Sequence, residues 1–102
     1  MAVFRILEAT ARPGAIGQLS QLLVQQEQDV VANAAGIIFV QSLRSGDNLM
    51  AVSSWHSIED MQRYLDQPVT SAFYQALPEL LMGMPSVRTY EVISPDTRWG
   101  PA

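Results

Sequence analysis

The chain contains no cysteine. Disulfides, thiolate metal sites and thiol nucleophiles are therefore excluded. It has a single histidine, His56, too few for a histidine metal cage and with no serine at motif spacing for a Ser/His/Asp set. Charge is scarce: 16% of residues are charged, below the roughly 25% of typical soluble domains. The formal net charge is −4 and there is no basic cluster, which argues against nucleic acid and against anionic membrane surfaces as partners. No apolar stretch approaches the ~20 residues of a membrane span. Arg5 and Glu8 interrupt the apolar start MAVFRILEAT, which makes it a poor signal peptide. With cysteine absent as well, a cytoplasmic protein is expected. No phosphate-binding loop or other cofactor motif occurs, so no cofactor is expected.

What is present suits one domain. The 102 residues can bury roughly two-thirds of their unfolded surface, enough for a core without staples. The centre of the chain is Asn48 to Leu65. Its first half alternates as a strand, with Leu49, Ala51, Ser53 and Trp55 on one face. Its second half opens with Ser57 three residues before Asp60, a capping-box-like helix start, followed by Ile58, Met61 and Leu65 at helical spacing.

Ala2 to Arg12 reads as a strand. Val3, Arg5, Leu7, Ala9 and Ala11 share one face, and Phe4, Ile6, Glu8 and Thr10 the other, each mostly apolar. Pro13-Gly14 ends it. Ala15 to about Ala35 reads as a helix with an apolar stripe of Ile16, Leu19, Leu23 and Val30 and a glutamine-rich opposite face. At ~1.5 Å per residue it is about 28–30 Å long, enough to cross a small sheet. Gly36 suits a left-handed C-cap. Ile37 to Arg44 is a second strand, and Ser45 to Asn48 the hairpin turn into the third. Pro68 starts a further helix at its first position, with Pro78 kinking or splitting the run towards Met82. Val87 to Ile93 is the last strand. Residues 1–93 form the domain and 94–102 a polar tail, in which Trp99 is placed to dock on a partner.

The order β-α-β-β-α-β gives a four-stranded antiparallel sheet with both helices on one face, the ferredoxin-like α+β arrangement. The second face is also apolar. Burying it against a second copy at ~25 cal/mol per Å² predicts an obligate homodimer with a barrel-like centre.

Arg12-Pro13-Gly14, Ala35-Gly36-Ile37, Ser54-Trp55-His56-Ser57-Ile58-Glu59-Asp60, Tyr64-Leu65, Ala72-Phe73 and Val87 to Tyr90 follow one another in an order and spacing that resembles the antibiotic biosynthesis monooxygenase domains, over about residues 2–93. The resemblance implies a dimeric α+β barrel. It also implies one of several activities: oxidation of polyphenols or quinols without a cofactor, haem degradation, or no known activity. Where haem-degrading members carry asparagine, tryptophan and an axial histidine, this chain has Leu7, Tyr64 and Tyr74, so haem degradation is not expected.

Individual residues admit two readings. His56 with Glu59 and Asp60 suggests a metal site, but acids in a helix's first turn fit its dipole without any metal, and none is expected. Trp55 either stacks on a planar substrate or fills the core or an interface. Tyr64 and Tyr74 either orient or deprotonate a phenol or are interfacial. Arg5 either holds an enolate or carboxylate or pairs with a nearby acid. Met61, Met82 and Met84 either line an adaptable pocket or pack the core.

The expected function is a small cofactor-independent monooxygenase acting on an aromatic polyphenol or quinol. Tyr64, Tyr74 and His56 are its catalytic candidates, histidine being the side chain that changes charge near neutral pH. Arg5, Leu7, Trp55, Met61, Phe73, Leu77 and Met82 are its substrate-binding candidates. The alternative is a non-catalytic dimer that binds a small hydrophobic ligand. A site packed shut by Leu7, Phe73, Leu77 and Met82 would favour that alternative, and an open pocket with two or more convergent polar groups the enzyme.

Overall fold

A computed structural model describes residues 2–94. The elements are β1 (Val3–Thr10), α1 (Ile16–Asn33), β2 (Ile37–Ser45), β3 (Asn48–Trp55), α2 (Ile58–Leu65), α3 (Pro68–Ala76) and β4 (Ser86–Glu91). The strands form one sheet in the order β2-β3-β1-β4, and every pairing is antiparallel. This is the ferredoxin-like α+β arrangement, with the second helical stretch broken in two at Pro68. Trp99 and the tail from residue 95 lie outside the described residues.

The alternation of β1 places its odd residues under the helices. Val3, Leu7, Ala9 and Ala11 are buried, and they face Trp55, Ala51 and Leu49 of β3 through the register Val3↔Trp55, Leu7↔Ala51 and Ala9↔Leu49. In β2 the strand period is broken once. Ile37 pairs with Trp55 and Phe39 with Ser54, so Ile38 is a bulge. The extra residue reverses every side chain after it. Val40 and Ser42 come under the helices, and Phe39, Gln41 and Leu43 go to the far face.

Two helix ends follow from local chemistry. Ser57 caps α2 by accepting from the Asp60 amide at 3.1 Å, as its capping-box spacing implies. The α3 helix starts with Pro68 at its first position, where proline's missing N–H costs nothing. It ends at Ala76, earlier than the expected run to Met82. Pro78 has no amide to continue the ladder, and the chain turns with Leu80 N–H on the Leu77 carbonyl at 2.9 Å. The segment beyond then pairs with the end of β1: Met82 N–H donates to the Thr10 carbonyl at 2.8 Å and Arg12 N–H to the Leu80 carbonyl at 2.9 Å. Arg12 Nε adds a bond to the Leu81 carbonyl at 2.9 Å.

The apolar core is in two parts. One holds Leu7, Ala9, Ala11, Leu19, Leu23, Leu49, Phe73, Leu77 and Leu81. The other holds Val3, Val30, Trp55, Met61 and Tyr64. On the far face of the sheet, Phe4 and Phe39 meet edge to face at 5.4 Å, and Phe39, Leu43 and Tyr90 are exposed. No helix among the described residues is long and apolar enough to cross a membrane.

Gly36 links the exit of α1 to the start of α2. Its φ is +81° and a Cβ there would collide with the Asp60 side chain, while its carbonyl accepts from His56 N–H at 2.8 Å. Gly36→Ala should therefore lower stability by about 2 kcal/mol, from the left-handed backbone alone or with the clash added. Gly17 lies in α1 with open space around it, so Gly17→Ala should be neutral or stabilising by up to ~1 kcal/mol. Urea unfolding of the two variants, compared at constant m-value, checks both.

Candidate functional site

The gap between the two parts of the core is a cavity of about 80 Å³. Leu7, Leu23 and Phe73 wall it from one side, and Val30, Trp55 and Tyr64 from the other. Most of the wall is apolar. Into it project Arg5 from β1, Ser42 from β2, Ser53 from β3, Gln26 and Glu27 from α1, and Thr70 and Tyr74 from α3.

Arg5 stands on the inner face of the central strand between Val3 and Leu7. Its Nη2 donates to the Tyr74 hydroxyl oxygen. The one ion pair among the described residues is Arg63–Asp60, at 2.9 Å, so the half-buried Arg5 has no carboxylate against it there. Tyr74 is itself held edge to face by Phe73, with ring centroids 5.3 Å apart. A guanidinium and a phenol thus sit together on an apolar wall, a geometry that stabilises negative charge on a planar ligand.

Tyr64 is buried and committed differently. Its hydroxyl donates to Asp29 Oδ2 at 2.6 Å and accepts from Gln26 Nε2 at 3.0 Å, tying α2 to α1. Burial, then the hydrogen bond to Asp29, then the Asp29 charge push its pKa well above the ordinary tyrosine value. A phenol so held keeps its proton and is a wall rather than a base. Its ring lies 5.8 Å from Trp55, whose Nε1 donates to Ser53 Oγ at 3.0 Å. Thr70 is satisfied by the Tyr64 carbonyl at 3.1 Å.

The structure brings together Arg5, Leu7, Trp55, Tyr64, Phe73 and Tyr74 around the cavity. It leaves four other candidates outside the lining. His56 is exposed at the β3–α2 junction, because the strand ends at Trp55 and the next side chain points away from the helices. Met61 and Leu77 are fully buried in the two halves of the core, behind the wall. Met82 is 60% exposed, because the chain beyond Pro78 leaves the helical path and pairs with β1. The cavity is small, yet it is not shut by Leu7, Phe73, Leu77 and Met82, and more than two polar groups converge on it.

Sequence reasoning missed Gln26, Glu27, Ser42, Ser53 and Thr70. A signal for the first pair exists. Leu19, Leu23 and Val30 set the inward stripe of α1, and Gln26 and Glu27 fall in the interval where that stripe would continue. Polar residues at inward positions mark a site or a partner. Ser42 carries no such signal, since its direction depends on the bulge at Ile38.

No family model and no curated protein matches the chain. Solved structures do. Rv0793 from Mycobacterium tuberculosis superposes with a TM-score of 0.87 at 19% identity, over 95% of this chain and 100% of that one. A protein from Deinococcus radiodurans named "putative antibiotic biosynthesis monooxygenase" has a TM-score of 0.87 at 19% identity, over 96% and 99% of the two chains. A variant of SnoaB, a cofactor-independent oxygenase from Streptomyces nogalater, has a TM-score of 0.79 at 18% identity, over 92% and 95%. At this identity the likeness is one of fold, and it is the fold that the order of motifs implied.

The Tyr64 environment predicts a pH dependence. Below the ordinary tyrosine pKa of about 10 the phenol is protonated in both the folded and the unfolded chain. Above it the unfolded chain loses a proton that the folded chain keeps, so stability falls as pH rises, by up to ~1.4 kcal/mol per pH unit from this group. Urea unfolding between pH 9 and 11.5 should show the decline, and Tyr64→Phe should remove Tyr64's share of that slope while lowering stability at pH 7.

Proposed function

We propose that the chain is a small cofactor-independent monooxygenase that oxidises an electron-rich phenol, quinol or hydroxyanthrone in the cavity between sheet and helices. The observation that carries this reading is the Arg5–Tyr74 pair on the wall of an otherwise apolar cavity. An oxygenase of the same fold that is named cofactor-independent supports it.

The chemistry asks little of the protein beyond what these residues supply. A polyphenol anion can itself pass an electron to oxygen. The two radicals combine to a hydroperoxide, which loses water to leave a carbonyl; a CH₂ group and O₂ become C=O and H₂O. Arg5 holds the negative charge on the substrate oxygen, with Tyr74 fixing the guanidinium's direction. Leu7, Phe73 and Trp55 orient the ring and exclude water. At about 80 Å³ the cavity is below the roughly 300 Å³ of a typical ligand site, so binding requires the wall to move. Gln26 and Phe73 also line an outer groove with Asp29 and Val69, so the cavity and the groove share that wall. The same small volume favours a second reading, a module that holds a small hydrophobic ligand without turning it over.

The active form in this reading is a homodimer through the far face of the sheet. Phe4, Ile6, Phe39, Leu43, Val52 and Tyr90 make that face apolar by register, and contiguous apolar surface of this kind is what subunit interfaces cover.

Two measurements test these proposals. Oxygen uptake with a panel of quinols and hydroxyanthrones should reveal a substrate for the native chain. Arg5→Met should then lower kcat by about 10²-fold, as loss of a charge-stabilising donor does, whereas no uptake with any member leaves the binding module. Sedimentation equilibrium should give a dimer. Leu43→Glu, which puts a charge on the exposed edge strand of the apolar face, should shift it to monomer and lower the thermal midpoint.

A further inference from the structure

The proposed oxidation begins with loss of a proton, and none of the three residues expected to take it is suited to do so. Tyr64 donates its own proton to Asp29 at 2.6 Å. The Tyr74 oxygen accepts from Arg5. His56 is exposed and outside the cavity lining.

The cavity nevertheless contains one carboxylate, that of Glu27. Asp29, two residues on, lines the outer groove and is taken up by Tyr64. Glu27 is half-buried and lies one turn after Leu23, on the inward side of α1. Its polar contact among the described residues is a long one, Ser42 Oγ donating to Oε1 at 3.4 Å, and no cation there forms an ion pair with it. Arg5 rises from the sheet that forms the floor, and Glu27 comes from the helix that forms the roof.

We infer that Glu27 is the general base of this site, the group that takes the substrate's proton. The inference rests on the oxygenase reading. A ligand lying between roof and floor gives its acidic C–H or O–H proton to the Glu27 carboxylate. The bonding pair stays on the ligand and is delocalised onto the oxygen beside Arg5. Oxygen takes up that anion, and protonated Glu27 returns the proton to the peroxide. Glu27 then removes the second proton from the same carbon. The C=O bond forms, the O–O bond breaks, and the departing hydroxide leaves as water with that proton. The sum is CH₂ and O₂ to C=O and H₂O.

The first step can be isolated from oxygen. 1,8-Dihydroxyanthrone exchanges its methylene hydrogens with D₂O, and NMR follows the loss of signal under anaerobic conditions. The wild-type protein should accelerate the exchange. Glu27→Gln should lower the accelerated rate by about 10²-fold or more, the contribution typical of a positioned base, with the dissociation constant of the anthrone changed less than about threefold. Glu27→Asp should recover part of the rate. If E27Q does not fold, E27D carries the test, with its shorter carboxylate lowering exchange without weakening binding. Exchange by E27Q as fast as wild type, or no acceleration by wild type, overturns the assignment. Exchange that depends on Glu27, without oxygen uptake by any substrate, leaves the base standing and removes the oxygenase. Oxygen uptake that is indifferent to Glu27 does the reverse.

Discussion

A guanidinium occupies the middle of the sheet's inner face, where an apolar side chain would otherwise join the two halves of the core. Arg5 cannot be packed among hydrocarbons without a large desolvation cost, so the core stops on either side of it. Leu7 and its neighbours form one half and Trp55 and its neighbours the other, and the space between them is the cavity. The remaining polar groups arrange themselves around that charge. Tyr74 accepts from it, the Tyr64–Asp29–Gln26 bonds close the wall opposite, and Glu27 supplies the opposite sign without forming an ion pair. The site is a consequence of leaving Arg5 and Glu27 without an ion pair at the cavity of a small domain.

The rest of the fold holds this arrangement in place. The sheet gives Arg5 a stiff base on the central strand β1, which is paired on both sides. The α2 and α3 helices are short, joined at Pro68, and meet the sheet mainly through Met61, Tyr64, Phe73 and Leu77. The similar solved structures share the fold with this chain; the polar groups that matter here belong to this chain's own residues.

Much of this was legible in the order of residues. Strict alternation in β1 placed Arg5 on the same face as Leu7 and Ala9, because the strand period of two leaves no freedom. Ser57 and Asp60 announced the start of α2 and Pro68 that of α3, each through a local backbone requirement; Gly36, expected as the α1 cap, takes its positive φ in the turn into β2, while Ala34 caps α1 in an extended conformation. The failures have equally local causes. Met82 was assigned to a helix that Pro78 had already ended. Met61 and Leu77 have the right periodicity for the inner face, but periodicity does not tell a residue that lines a gap from one that fills it.

The sequence by itself determined the element order, the face of each regular strand and the starts of α2 and α3, since these depend on dihedral preferences and periods that act over a few residues. Only the tertiary structure decided which inward residues surround empty space. The bulge at Ile38 turned Ser42 inward and Phe39 outward. The packing of α1 on β2 brought Glu27 to the cavity that Arg5 also lines, and the bond to Asp29 tied the Tyr64 hydroxyl to α1. Each of these depends on contacts between segments tens of residues apart, and no local pattern carries them.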